Sequence, residues 1–117
     1  MAAFAVPCAP GGASHWTQTT ALDGVDFVLT FDWNQRMGRW TLTLADAGGT
    51  VLRAGMVLVV NTRLLRGLVT PGRPAGELTV VDTLGRGDAD PGFADLGARF
   101  QLAYLDAEEM RRIDAAV

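Results

Sequence analysis

The sequence predicts an all-β domain: one small antiparallel β-barrel or sandwich of about six to seven short strands, with at most short helical turns. Three observations predict it. First, Val25, Phe27, Leu29, Phe31 and Trp33 alternate with Asp26, Val28, Thr30 and Asp32, and after residues 34–38 the pattern resumes with Trp40, Leu42 and Leu44 against Arg39, Thr41, Thr43 and Ala45. Successive side chains on a strand point to opposite faces, so this is a hairpin with one apolar face, which needs further strands to cover it. Second, turn signals such as Asp23-Gly24, Gly48-Gly49 and Pro71-Gly72 divide the chain at strand-length intervals. Third, no helical pattern is long enough for a crossover between parallel strands.

The elements follow in order. Residues 1–13 are rich in Ala, Gly and Pro and are expected as a flexible N-terminal arm or a short edge segment. Residues 14–106 form the β domain. Its Thr-rich opening, 14–22 with Trp16, has strand propensity, and Asp23-Gly24 favours a two-residue turn into 25–33 and then 39–45. Thr50–Arg53 reads as a short strand, Ala54-Gly55 as a bulge or bend, and Met56–Val60 as a strand covered on both faces. Asn61–Leu68 is expected as one helical turn, capped by Asn61 or Thr62, with Leu64, Leu65 and Leu68 inward. Val69–Gly76 reads as an exposed loop, Glu77–Thr83 as a strand, and Leu84–Gly97 as a long loop or lid anchored by Phe93 and Leu96. Ala98–Asp106 closes the sheet, with Phe100, Leu102 and Tyr104 on one face. Residues 107–117 carry Glu108 and Glu109 early and Arg111 and Arg112 late, the polarity of a short helix or tail.

Composition narrows the function. One domain fits 117 residues, and a chain this long buries roughly 65% of its unfolded surface, enough for a core. Ten Arg, no Lys and thirteen acidic residues leave a net charge of −3, so no basic stripe recruits nucleic acid. The longest apolar run, Met56–Val60, is far short of the roughly 20 residues of a membrane span. Ala2–Val6 is short, uncharged and closed by Pro7, so synthesis in the cytosol is expected. Cys8 and His15 are single, which excludes an internal disulfide and a Cys/His metal site.

Each candidate for chemistry has a plainer reading. Asp88, Asp90 and Asp95 invite calcium, but their spacing completes no loop motif and acidic turn residues are the commoner case. Arg86-Gly87-Asp88 spells an adhesion tripeptide from three ordinary turn formers, and Gly85 with Gly87 lacks the third glycine of a dinucleotide fingerprint. His15 has no serine or carboxylate at a diagnostic spacing. Asp26 and Asp32 share a strand face about 20 Å apart, too far for a glycosidase pair. Trp16, Trp33 and Trp40 are either a sugar-stacking platform or, given their phase with Phe27, Phe31 and Leu42, core; packing is preferred. No catalytic, cofactor-binding or metal-ligating residue is assigned, and no enzyme is expected.

Taken in order, Leu22-Asp23-Gly24, Phe31-Asp32-Trp33-Asn34, Arg39-Trp40-Thr41-Leu42, Gly76-Glu77-Leu78 with Asp82, Asp95-Leu96-Gly97 and Leu102-Ala103-Tyr104 resemble the small plug proteins of contractile-tailed phage baseplates. The resemblance implies a non-enzymatic virion structural protein of a myovirus-type tail baseplate. It would be made in the host cytoplasm and packed among hub, tube and wedge proteins, with no cofactor, small-molecule substrate, membrane or nucleic acid. The alternative is a stand-alone β-sandwich ligand-binding module, such as a carbohydrate binder.

Overall fold

The computed structural model describes residues 3–6, 14–68, 72–74, 76–87 and 89–106. Seven strands run through them: β1 (Ala3–Val6), β2 (His15–Leu22), β3 (Val25–Asn34), β4 (Arg39–Asp46), β5 (Val51–Val57), β6 (Glu77–Asp82) and β7 (Phe100–Leu105). They make two antiparallel sheets, of order β2-β3-β4-β5 and β1-β7-β6. The fold is all-β and sandwich-like, as the alternation predicts, and no helix occurs among the described residues.

Asp23 (φ 55°) and Gly24 (φ 76°) are both left-handed, the geometry of a type I′ turn, whose twist matches that of the flanking strands. The turn fixes the register: Leu22 opposes Val25, so Trp16 opposes Phe31 and His15 opposes Asp32. Across the next hairpin Phe31 faces Leu42 and Trp33 faces Trp40. The apolar halves of both hairpins therefore share one face, which meets Leu78, Val80, Phe100, Leu102 and Tyr104 of the other sheet in one core.

Three elements differ from expectation. Residues 50–53 and 56–60 are not two strands: Val51–Val57 is one strand, irregular where its pairing with β4 shifts register and Gly55 is left-handed. The chain then crosses between sheets, Leu58 N–H donating to Trp40 O (2.9 Å) and Val60 bridging to Val80. Met56 and Leu58 are buried while Val57, Val59 and Val60 are partly exposed, so the segment is not covered on both faces. Residues 61–68 form hydrogen-bonded turns rather than a helical turn, and Asn61, itself left-handed (φ 60°), caps nothing. The donors a helix needs are used elsewhere, Leu64 N–H on Leu78 O (2.9 Å) and Leu65 N–H on the Glu77 carboxylate (2.5 Å). Leu64, Leu65 and Leu68 still point inward.

At the start of the chain, Ala3–Val6 takes the edge-segment form, pairing with Leu105–Leu102 of β7, and Val6 is fully buried. The expected strand 98–106 begins at Phe100, because the backbone of 95–98 is engaged in a turn in which Ala98 N–H donates to Asp95 O (2.9 Å). The expected tail, 107–117, lies outside the described residues, as do most of the arm and Asp88.

Candidate functional site

The hairpins and β6–β7 run between two ends of the sandwich, which are built from different materials. At the end reached by the β3–β4 hairpin, five rings interlock. Trp16 stacks on Phe31 (centroids 4.4 Å apart) and meets Trp40 edge-on at 5.2 Å, while Trp33 meets Trp40 at 5.5 Å. Phe93, from the long loop, lies parallel to Trp40 at 5.8 Å and edge-on to Trp33 at 5.5 Å. Trp40 is fully buried, and its indole N–H donates to Gly92 O (2.9 Å), which fastens the loop over the ring. Leu96 is the buried anchor expected of that loop; Phe93 remains 38% exposed. Trp33 and Phe93, with Ser14 and Gln35, line an open groove of about 440 Å³.

The opposite end is held by directed hydrogen bonds. Tyr104 O–H donates to the Asp23 carboxylate (2.5 Å) and accepts from Gly76 N–H (2.8 Å), joining the first turn to the start of β6. Burial, and then the bond to Asp23, push the phenol of Tyr104 above its ordinary range. Gly76 is required by this close approach: a Cβ there would lie 2.0 Å from Leu105 O and 2.8 Å from the Tyr104 ring. Arg73 donates to four carbonyl oxygens, of Leu65, Leu68, Pro74 and Gly76. Between the Asp23-Gly24 turn and Arg73-Pro74 lies a groove of about 280 Å³, floored by Leu22, Val25 and Phe27.

A third fixing ties β6 to β7. The buried Asp82 carboxylate receives Arg99 through Nε (3.0 Å) and Nη2 (2.9 Å), together with the amides of Leu84, Arg86 and Gly87. The Arg99 hydrogen bonds hold this carboxyl well below the usual carboxylate range.

The residues weighed for chemistry fall as follows. Asp90 accepts Val60 N–H (2.9 Å) and pairs with Arg39 (2.8 Å), holding its loop against β4 and the crossover between the sheets. The backbone amides of Arg86 and Gly87 serve the Asp82 turn. His15 does have a carboxylate neighbour, contrary to the sequence reading: its Nδ1 contacts Asp32 on the exposed face of the hairpin. Counting outward from the two-residue turn would have found that pair, since partners across it sum to 47. Asp26, at the other end of β3, lies opposite Ala21. Among the described residues, no three His, Cys, Asp or Glu side chains gather in a cation-sized cluster.

Sequence reasoning missed Arg73 and the bonding of Glu77, Asp82 and Tyr104. Yet Asp23, Gly76, Glu77, Asp82 and Tyr104 all belong to the short motifs that carried the resemblance, and they are the residues that fasten loops to strands.

Fold and fixings together define a small all-β structural module. The family described as cyanophage baseplate Pam3 plug gp18 matches residues 13–108, and the chain belongs to that family. The match takes in every strand except β1. No curated protein matches the chain. Membership makes it a structural component of a phage tail baseplate, working in contact with other tail and baseplate proteins.

Proposed function

We propose that the chain is a non-enzymatic, plug-like subunit of a contractile, myovirus-type baseplate, packed among hub, tube and wedge proteins after synthesis in the host cytoplasm. The family match carries this reading. The use of polar groups supports it: the buried carboxylates of Glu77 and Asp82, the Tyr104 hydroxyl and the Arg73 guanidinium all bind the chain's own backbone. The outer face of the four-stranded sheet carries Thr17, Thr30 and Thr43 in one row across three strands, with the charged Asp26, Asp32 and Arg39 towards its ends. An uncharged row of that kind suits protein contact, since burying the threonines desolvates no charge.

A ligand-binding module is the second reading, favoured by one observation: Trp33 and Phe93 flank Ser14 and Gln35 in an open groove, an arrangement that suits a sugar ring. One experiment separates the two. The chain is co-expressed with the products of neighbouring tail genes and purified by an affinity tag, and in parallel is applied to an immobilised glycan panel. Co-purification of a hub, tube or wedge protein is expected. Glycan binding that is lost in Phe93→Ala, with no tail protein retained, reverses the order.

A further inference from the structure

Backbone groups on one strand are left unused, and their pattern is specific. The type I′ turn and the bond from Trp33 N–H to Ser14 O (2.8 Å) set the phase of the β2–β3 ladder. Residues 14, 16, 18, 20 and 22 turn their backbone groups to β3, so His15, Thr17, Thr19 and Ala21 turn theirs to the open side. Among the described residues, no backbone hydrogen bond is made by these four on that side.

The other margins are guarded. β5 is distorted by its register shifts and Gly55, and Val60, just beyond it, bridges to Val80 of β6. β6 is flanked by Asn61 and Leu64, which donate to Val80 and Leu78. β1 has four residues. β2 has eight, in unbroken register, with no Pro, no Lys and no bulge. Long regular edges without such devices are templates for strand addition.

The β2 sequence also matches itself in reverse. Placed antiparallel about Gln18, the strand sets His15 opposite Ala21, Thr17 opposite Thr19 and Trp16 opposite Thr20, with like faces together and no two like charges opposed. All four open residues then meet open residues, giving about eight new backbone hydrogen bonds. Trp16, half-buried at the sheet margin, gains a neighbour.

We propose that β2 is a self-assembly edge: two copies of this chain pair β2 to β2, antiparallel about a two-fold axis at Gln18, and merge their four-stranded sheets into one. The proposal does not depend on the baseplate reading.

The test is a charge swap on the full chain, read by light scattering after size exclusion across the micromolar range. The parent is expected to show twice the chain mass at high concentration and the single mass on dilution. Thr17→Lys with Thr19→Lys sets two like-charged pairs across the axis and should leave only monomer, as should Thr17→Glu with Thr19→Glu. An equimolar mixture of these two variants should recover the double mass. Circular dichroism matching the parent verifies that each variant folds, and slowed amide exchange at Thr17 and Thr19 should accompany the dimer alone. A parent that is monomeric throughout overturns the proposal. So does a double-Lys variant that keeps the parent's dimer, or a mixture that fails to pair.

Discussion

One end of this sandwich is filled by rings, with the Asp82 and Asp90 carboxylates beside them, and the other has no ring cluster and is laced by hydrogen bonds alone, so the two hold the same pair of sheets by different physics. Ring packing around Trp40 is stabilised by burial and dispersion, which fall off gradually as groups are trimmed. The Tyr104–Asp23–Gly76 junction is directional: each donor has one place to go, and removing a partner strands the other in a buried setting. The aromatic end should therefore lose stability in proportion to the area removed, and the laced end in steps.

The largest expected effect tests the first half of that contrast. Trp40→Ala removes the ring at the centre of the cluster and should destabilise by about 3–5 kcal/mol in denaturant titration. A loss below half of that would show that the cluster does not hold the sheets. Gly76→Ala comes next. The added methyl meets the backbone of β7, and overpacking of this kind costs roughly 1–3 kcal/mol; chemical denaturation should show it although a single carbon is added.

Tyr104→Phe sharpens the second half, leaving Gly76 N–H without its acceptor at a cost of about 1–3 kcal/mol. It also carries a pH signature. A phenol whose pKa is raised by folding contributes stability that is complete below its unfolded value, about 10, and is lost as pH rises beyond it. Melting curves at alkaline pH should fall more steeply for the parent than for the variant. Phe93→Ala, at the half-exposed rim of the aromatic end, should cost about 1 kcal/mol and open Trp40 to fluorescence quenchers.

The mildest probe is acid. Folding depresses the Asp82 pKa, so its contribution is complete above the ordinary value of 3.8 and disappears as pH falls below it. Arg99→Gln, which removes the largest cause of the depression, should flatten the acid limb of the melting profile.

The same contrast explains what was legible in the sequence. Alternation around Phe31 and Trp40 shows which rings turn inward, because strand geometry is local and its period is two. Asp23-Gly24 carries the register of β2 and β3 for the same reason. Tyr104 and Asp23 are separated by 81 positions, and no local period reports such a meeting. The failed helical turn at 61–68 is the same lesson: Leu64 and Leu65 are spaced for an inward helix face, but Leu78 and Glu77 claim their donors through tertiary contact. The crossover at Leu58–Val60 was invisible because an apolar run does not say which sheet it joins. Of the site residues, those at the aromatic end could be named in advance, whereas Arg73 looked like any loop arginine until the carbonyls of four residues surrounded it.

The pairing of Phe4 with Tyr104 has a consequence for synthesis. During translation the four-stranded sheet can assemble as soon as Val57 has emerged, but its apolar face must wait for the last strand before the three-stranded sheet exists to cover it. Until then a half-built nascent chain exposes the aromatic rings, and crowded ribosomes or a chaperone shortage would be felt there first.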